Sequence, residues 1–460
     1  MYDTVPSLFA RTAATHASRP ALRAKRNGAW VTWTWAEHRQ QTLRFARALL
    51  GLGVQPRQGV AIMGFNRPEW FWADLGAIHA GAVPAGIYTT TTPDNVRYIA
   101  QHCEAAVAVV ENVHYLELFQ SLRAQLPHLR AVVVMQGGRT QDDVYAWEDF
   151  LRLGDGLPEN ALEERLQAQS AEDLCTLIYT SGTTGAPKAV MIAHRNVTFL
   201  STAVVPMFGL SSEDRFISYL PLSHIAEQCV SLFMPGVVGG CTYFAESLEA
   251  LPDNLREVRP TVFFGVPRVW EKIQARMQAL GAQAPALRRA VANWAKRKGL
   301  AGGYAEQSGR PKPFGYGLAK KLVFDKVRER LGLDQARICL TSAAPISLGT
   351  LEYFLSLGIP ILEVYGMSED TGPTTLSTPT RYRTGRAGWA FPGTELRTAE
   401  DGEILIRGPH VFLGYLKDEA ATREALDAEG WLHSGDVGDI DADGFLRVTD
   451  RKKELLITSG

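Results

Sequence analysis

The sequence predicts an α/β protein with two sheet subdomains of the βαβ type, flanked by helices, and one small β-rich subdomain. Three observations lead to this fold class. Short β-branched runs alternate with helical patterns between residues 59 and 135 and again between residues 174 and 365, the rhythm of parallel sheets covered by helices. After residue 372, short strands alternate with glycine and aspartate turns. The 460 residues also exceed what one hydrophobic core usually serves.

The elements of the first block follow from local signals. Thr34 and Glu37 have the spacing of a capping box and predict the start of a helix that ends near Gly51 or Gly53. Helices are also predicted over residues 68–80, with proline in the first turn, and from residue 92 onward. Strands are predicted over residues 60–63, 82–87, 107–110 and 132–135.

The second block begins with the apolar run Leu174–Tyr179, which predicts a buried strand. Residues 282–332 have a mostly helical pattern, and a stretch with glycine and proline from Gly299 to Gly315 predicts a loop that interrupts the helix. We therefore predict that residues 1–375 hold the two α/β subdomains and that residues 376–449 form the β-rich one.

Composition restricts the partners and the compartment. The formal net charge of −1 gives no reason to expect a nucleic-acid partner. Five scattered cysteines without a C-x-x-C pair indicate reduced thiols and an intracellular protein. No apolar run reaches the ~18 residues of a membrane span. We predict a cytoplasmic protein, with a peripheral contact at the inner membrane surface left open. The basic run Lys296–Lys298 fits a solvated helix face, with an anionic cofactor or lipid surface as the alternative.

The most informative stretch is Tyr179–Lys188, with the sequence YTSGTTGAPK. Backbone N–H groups, four hydroxyls and one ammonium behind a predicted strand indicate a phosphate-binding loop. The Walker pattern is excluded because Ala189, and not serine or threonine, follows the lysine. The alternative is a flexible surface loop.

Six further motifs follow this loop in a fixed order. They are LPLSH at 220–224, GVPR at 265–268, TSAAP at 341–345, YGMSE at 365–369, GWLHSGD at 430–436 and DRKK at 450–453. Together with the loop, they resemble the adenylate-forming enzymes, a superfamily that includes acyl-CoA synthetases, peptide-synthetase adenylation domains and beetle luciferase. The resemblance covers nearly the whole chain and implies the large-domain fold of that superfamily.

The resemblance also implies a nucleotide site. The implied phosphate-binding residues are Thr180, Ser181, Gly182, Thr183, Thr184, Gly185 and Lys188. The implied adenine and α-phosphate residues are Tyr365, Gly366, Met367 and Ser368, with the Ala343–Ala344 backbone across the ring. Asp436 and Arg451 would bind the ribose, and Glu369 with Thr183 would bind Mg²⁺. The structural alternatives are a helix-capping Glu369, a core Tyr365, a turn Asp436 and an exposed, salt-bridged Arg451.

The acyl site is implied by two of the motifs. His224 would lie near the reacting carboxylate, although a lone histidine after an apolar strand is usually a core residue. Gly265, Val266 and Pro267 would border the acyl chain, as in the long-chain acyl-CoA synthetases, including the bubblegum type. Gln228 stands where some long-chain enzymes have a gating tryptophan, so the gating residue and the chain-length preference stay open.

The implied function is a long-chain fatty acid:CoA ligase. It would form acyl-AMP from ATP and a fatty acid with Mg²⁺, and would then transfer the acyl group to CoA, with Lys188, His224 and Glu369 as catalytic residues. The alternatives are a fatty acyl-AMP ligase or another carboxylate-activating enzyme, and a non-catalytic nucleotide- and acyl-binding module. Family members continue past the hinge, which corresponds to residues 450–460, into a mobile C-terminal domain. We therefore expect this chain, which ends inside the hinge motif, to be impaired in CoA transfer.

Overall fold

The computed structural model describes residues 3–180 and 185–452. The strands of this part, in chain order, are β1 Pro20–Arg26, β2 Ala29–Thr34, β3 Gly59–Met63, β4 Val83–Ile87, β5 Ala105–Val110, β6 Ala131–Val134, β7 Val144–Ala146, β8 Leu174–Thr180, β9 Lys188–Ala193, β10 Arg215–Ser218, β11 Cys241–Phe244, β12 Val262–Phe264, β13 Ile338–Thr341, β14 Leu362–Tyr365, β15 Thr375–Leu376, β16 Trp389–Ala390, β17 Glu395–Thr398, β18 Glu403–Arg407, β19 Gly414–Tyr415, β20 Leu432–Ile440 and β21 Leu446–Arg451.

The helices are α1 Val5–Thr15, α2 Trp35–Gly51, α3 Pro68–His79, α4 Pro93–His102, α5 Val113–Leu122, α6 Trp147–Arg152, α7 Ala161–Gln167, α8 His194–Phe208, α9 Ile225–Gln228, α10 Met234–Val238, α11 Leu251–Val258, α12 Pro267–Ala282, α13 Ala286–Gln307, α14 Tyr316–Ala319, α15 Asp325–Leu331, α16 Leu348–Leu355 and α17 Glu419–Ala425. A π-helical turn, Cys229–Phe233, joins α9 to α10, and another, Lys320–Phe324, joins α14 to α15. The predicted capping box of α2 is present, with Thr34 and Glu37 bonded to each other's backbone N–H groups.

The largest sheet has eight strands in the order β19-β9-β8-β4-β3-β5-β6-β7. The strands from β8 to β7 pair in parallel, and β9 and β19 are antiparallel additions at one edge. Alternate residues of β3 and β5 enter two different apolar clusters, one on each face of the sheet. Burial on both faces explains why these strands read as continuous apolar runs and were predictable from the sequence.

The strands of the second predicted block do not form one sheet. β8 and β9 belong to the eight-stranded sheet, where Leu177 lies opposite Ala85 of β4. β10 and β11 extend the N-terminal hairpin in the order β10-β11-β1-β2, and β12 to β16 form a five-stranded sheet. The sequence predicted the first strand of this block but not the partners of its strands, because partners come from segments that are distant in the chain.

The loop predicted from Gly299 to Gly315 is wrong in its first half and confirmed in its second. Helix α13 continues through Gly299 to Gln307, and only the segment after it, up to α14, is irregular. A Cβ at Gly299 would collide with the Ser356 carbonyl, and one at Gly303 would collide with Leu355. These glycines therefore allow α13 to approach α16 closely, and tertiary packing outweighs their low helix propensity.

The β-rich region contains an antiparallel sheet in the order β17-β18-β20-β21. The short strand β19, which lies between β18 and β20 in the chain, does not belong to this sheet. Strand β19 pairs with β9, with Tyr415 opposite Val190, and so reaches the edge of the largest sheet. The pairing brings a residue of the C-terminal part of the chain next to β9, the strand that follows the predicted phosphate loop.

Candidate active site

The predicted phosphate loop connects two paired strands. β8 and β9 are antiparallel, and Thr180 at the end of β8 lies opposite Lys188 at the start of β9. Both ends of the loop are thus fixed by sheet hydrogen bonds, and Gly185 is exposed. Ser181, Gly182, Thr183 and Thr184 lie outside the described residues, so their roles remain predictions.

Lys188 and Glu369 both contact the side chain of Tyr415. The Lys188 Nζ lies 4.9 Å from the centroid of the Tyr415 ring, a distance at which a cation is attracted to an aromatic face. The Tyr415 hydroxyl donates a 2.7 Å hydrogen bond to Glu369 Oε1. The structure thus brings together the predicted phosphate ligand and the predicted metal ligand. Tyr415 was not predicted, and no local pattern around it signals a functional role.

The segment that carries Glu369 is held by its neighbour Asp370, which the sequence analysis also missed. Asp370 is fully buried and accepts hydrogen bonds from the backbone N–H groups of Met367 and Gly372 and from the Thr374 hydroxyl. Burial raises its pKa to about 8. The acidic pair in the sequence therefore has two environments, with Glu369 half-buried beside Tyr415 and Asp370 in the interior.

Two predicted nucleotide residues also occupy this segment. Ser368 is buried, and Gly366 lies so close to the Gly372 carbonyl that any Cβ would collide with it. A glycine is therefore required at this turn, which directly follows Tyr365 at the end of β14.

Tyr365, Asp436 and Arg451 form a connected group. The Tyr365 hydroxyl donates a 2.9 Å hydrogen bond to Asp436 Oδ2, and Arg451 Nε lies 3.3 Å from Asp436 Oδ1. The last contact follows from register, because Asp436 on β20 is directly opposite Arg451 on β21. Burial raises the pKa of Asp436, and the hydrogen bond from Tyr365 and the charge of Arg451 oppose that rise. The structure thus brings the predicted adenine residue and both predicted ribose residues together.

Ala343 and Ala344 are exposed just after strand β13. Ala343 has φ +73°, in the left-handed region that favours glycine. Such a conformation turns the chain sharply and presents backbone to the surroundings of the site.

A cavity of about 80 Å³ adjoins this turn. Two predicted acyl-site residues, His224 and Val266, line the cavity. The other two, Gly265 and Pro267, are the neighbours of Val266 in the chain and are not part of the lining. Its lining is Tyr88, Leu220, Pro221, His224, Ala226, Glu227, Phe264, Val266 and Ala343. Most of these side chains are apolar, which suits a hydrocarbon chain. Tyr88 and Phe264 were not predicted, because they come from segments outside the matched motifs.

His224 is the N-cap of the short helix α9. Its Nδ1 accepts a hydrogen bond from the Ala226 N–H at 3.1 Å, and burial lowers the pKa of the imidazole. A neutral His224 with Nδ1 as an acceptor carries its proton on Nε2, so that nitrogen is a donor.

Glu227, on the same helix, lines the cavity and is hydrogen-bonded to its surroundings. Its Oε1 accepts hydrogen bonds from the hydroxyls of Ser218 and Ser231, both at 2.7 Å, and from the Tyr219 N–H at 3.2 Å. Burial raises the pKa of Glu227 to about 8. Gln228, in contrast, is fully buried, donates to the Leu222 carbonyl and does not line the cavity.

The described residues contain no cluster of three or more histidine, cysteine, aspartate or glutamate side chains that could hold a metal ion by themselves. Glu369 therefore stands as a single carboxylate. A hard divalent cation that is also held by substrate phosphate oxygens needs only one or two carboxylates from the protein.

Comparison with known proteins agrees with this geometry. Residues 9–416 match the family model described as AMP-binding enzyme. The chain is 44% identical over 472 residues to the long-chain-fatty-acid–CoA ligase ACSBG2 of Xenopus laevis, an alignment that covers 99% of this chain and 64% of that protein. The ACSBG2 of Gallus gallus is 43% identical over 475 residues, with 99% and 62% covered. This chain thus spans less than two thirds of the length of these two relatives.

Among solved structures, the anthranilate CoA ligase AuaEII in complex with anthranoyl-AMP has a TM-score of 0.77 at 23% identity, with 98% of this chain and 78% of that chain covered. This likeness shows that the two proteins share a fold. The family match extends over most of the sequence and includes the phosphate loop, the cavity residues and Glu369 with its tyrosine neighbour. The chain belongs to the AMP-binding enzyme family.

Proposed function

We propose that this chain forms the nucleotide- and acyl-binding part of a long-chain fatty acid:CoA ligase that uses ATP and Mg²⁺. One observation carries the proposal. Ala343, a predicted nucleotide contact, lines the same apolar cavity as His224. A fatty acid held in that cavity would have its carboxylate at the end that adjoins the nucleotide residues. The relatives named for this activity support the substrate class.

The reaction has two displacements. In the first, a carboxylate oxygen bonds to the α-phosphorus of ATP while the bond to the bridging oxygen breaks and pyrophosphate leaves. In the second, the CoA thiol gives its proton to solvent and its sulfur bonds to the acyl carbon, while the bond between that carbon and the phosphate oxygen breaks and AMP leaves. Mg²⁺ would neutralise phosphate charge, with Glu369 and Thr183 as its protein ligands.

The chain's own groups orient the reactants for the first displacement. Lys188 and the loop hydroxyls of Thr180, Ser181, Thr183 and Thr184 would bind the β- and γ-phosphates. Tyr365 would pack against adenine, and Asp436 with Arg451 would hold the ribose. The Nε2–H of His224 would donate to the carboxylate of the fatty acid. Positioning of this kind is the main catalytic resource for a phosphorus-centred transfer.

We also propose the domain boundaries given above, with a hinge at residues 450–460, of which 453–460 lie outside the described residues.

The test is pyrophosphate release and nucleotide binding by this chain with ATP, Mg²⁺ and palmitate, with and without CoA. We expect binding of ATP in the presence of Mg²⁺ and formation of acyl-AMP. The same assay is made with a version of the protein extended by the C-terminal domain that family members carry. Acyl-AMP as the final product of that version, even with CoA, would indicate a fatty acyl-AMP ligase. Binding without pyrophosphate release in either protein would indicate a binding module. No detectable binding at millimolar nucleotide would reject the proposal.

Fatty acid affinity should rise with chain length, because each buried methylene contributes ~0.8 kcal/mol, or about fourfold in affinity, until the cavity is filled. Calorimetry with a series from hexanoate to palmitate measures this dependence. Phenylacetate and phenylalanine are the controls. A flat series, or a preference for either control, would contradict the long-chain assignment.

We further propose that the protein is cytoplasmic and touches an anionic membrane surface through α12 to α15. Residues 286–331 contain twelve lysines and arginines against three acidic residues. Seven of the twelve exposed large apolar side chains of the described residues lie between 280 and 322, among them Phe314, which is 97% exposed. Basic and apolar side chains together favour an anionic lipid interface. Within the basic run itself, Lys296 is not fully solvated, because its Nζ lies 4.6 Å from the centroid of the Tyr353 ring.

No helix among the described residues is long and apolar enough to cross a bilayer. Sedimentation with vesicles of phosphatidylcholine, with or without phosphatidylglycerol, tests the surface contact. We expect salt-sensitive binding to the anionic vesicles only, and failure to bind them would reject the contact.

A further inference from the structure

We propose that Tyr415 is a positioning residue of the phosphate site, which holds the Lys188 ammonium and the Glu369 carboxylate in place and apart until the nucleotide binds. The inference rests on the proposed function, because it concerns the same ATP and Mg²⁺ site. The effects that it predicts on ATP affinity and on its Mg²⁺ dependence can be measured separately from the proposed ligase activity.

The position of Tyr415 is fixed by its backbone. Its N–H donates to the Thr422 hydroxyl at 2.9 Å, and the N–H of the next residue, Leu416, donates to the Ala189 carbonyl at 2.9 Å. Ala189 directly follows Lys188, so the tyrosine and the lysine are held by the same pair of strands. The ring is therefore a rigid part of the sheet edge.

The side chain satisfies each charged neighbour in a different way. Its ring face receives the Lys188 ammonium, and its hydroxyl donates to Glu369 Oε1. Among the described residues, the two charged groups contact Tyr415 and form no ion pair with each other. A direct pair would neutralise both groups, whereas the phosphates need a free ammonium and the metal needs a free carboxylate oxygen.

A tyrosine hydroxyl is an uncharged hydrogen-bond donor, and here it donates to Glu369 Oε1. Because the donor is uncharged, it orients Glu369 without cancelling its charge. One carboxylate oxygen is engaged, and the other stays available for a cation.

Two substitutions separate the two contacts. Tyr415→Phe keeps the ring and removes the hydrogen bond, so we expect the Mg²⁺ concentration for half-maximal ATP binding to rise about three- to tenfold. Tyr415→Leu also removes the ring face, so Lys188 can pair with Glu369. We expect a further loss of about threefold or more in ATP affinity, including ATP without Mg²⁺. AMP affinity should stay within about twofold in both variants.

The matched control is Tyr304→Phe. Tyr304 on α13 donates a 2.6 Å hydrogen bond to Glu352, the same kind of contact away from the site. It should leave all nucleotide affinities unchanged. In a Lys188→Ala background, the difference between Tyr415→Phe and Tyr415→Leu should disappear if the ring acts through the lysine.

Calorimetric titration of ATP and AMP at several Mg²⁺ concentrations measures all of these effects. Equal weakening of ATP and AMP would show a merely structural role and overturn the inference, as would a Tyr415→Phe variant that matches the unsubstituted protein. If the unsubstituted protein binds no nucleotide, the proposed function fails and this inference fails with it. If the unsubstituted protein binds MgATP and Tyr415→Phe binds it equally well at every Mg²⁺ concentration, only this inference fails.

Discussion

Replacing Lys188 with alanine should weaken ATP binding by roughly 10- to 150-fold and leave AMP binding within about twofold. The range corresponds to about 1.5–3 kcal/mol for a hydrogen bond that involves a charged group. Lys188 begins β9 at the end of the predicted phosphate loop, and among the described residues its ammonium lies over the Tyr415 ring. AMP lacks the β- and γ-phosphates that Lys188 would bind, so the substitution should not weaken AMP binding.

Glu369→Ala should show the same discrimination through the metal. We expect ATP affinity to lose its dependence on Mg²⁺ while AMP affinity remains. Calorimetry with ATP, ADP and AMP measures both variants, and Lys326→Ala, an exposed lysine on α15, is the control. Equal losses for ATP and AMP would mean that the phosphate and metal roles are assigned to the wrong residues.

Replacing Asp74 with asparagine should stabilise the protein at pH 8 by about 2–4 kcal/mol and have almost no effect at pH 4. Asp74 lies in α3, a helix with all twelve residues buried. Neither carboxylate oxygen has a hydrogen-bond partner among the described residues. Burial raises the pKa of Asp74 from 3.8 to about 8.

The pH dependence follows from the direction of this shift. Well below pH 3.8, Asp74 is protonated in both the folded and the unfolded state, so it contributes no pH dependence. Between pH 4 and pH 8, the unfolded state releases the proton and the folded state keeps it, so the free energy of unfolding falls as pH rises. Above pH 8, both states are ionised and the loss is complete. Asparagine cannot ionise, so the variant lacks this slope.

Urea unfolding at pH 4, 6 and 8 measures the difference between the two proteins. Asp94→Asn, at an exposed site on α4, is the control and should run parallel to the unsubstituted protein. Parallel profiles for Asp74→Asn as well would show that the carboxyl has a partner in the folded state. Because Asp74 lies outside the candidate site, nucleotide binding should not change.

Local signals explain why much of the fold was predictable. The capping box at Thr34, the proline at the start of α3 and the apolar runs of β3, β5 and β8 act over a few residues. Each specifies its element through its own hydrogen bonds and burial pattern. The ordered motifs likewise indicated the family, and Tyr365, Asp436 and Arg451 proved to be neighbours.

Other features depend on residues that are distant in the chain. Gly299 favours a loop in isolation, yet it lies inside a helix because α16 packs against its bare backbone. Glu227 is an ordinary acidic residue in the sequence, and only the folded structure brings the Asn66 side chain, 161 positions away, within 3.4 Å of its Oε1. Neither outcome has a short-range signal.

The sequence by itself indicated a phosphate-binding loop, an ordered set of motifs and several of the strands and helices, because those depend on residues close together in the chain. Only the tertiary structure decided which strands are partners and which charges meet. Tyr415 is 227 positions after Lys188 in the sequence, and β19 must pair with β9 before its ring can separate Lys188 from Glu369. Such a contact arises from the closure of a long loop, and its stabilisation appears only when the whole sheet edge has formed.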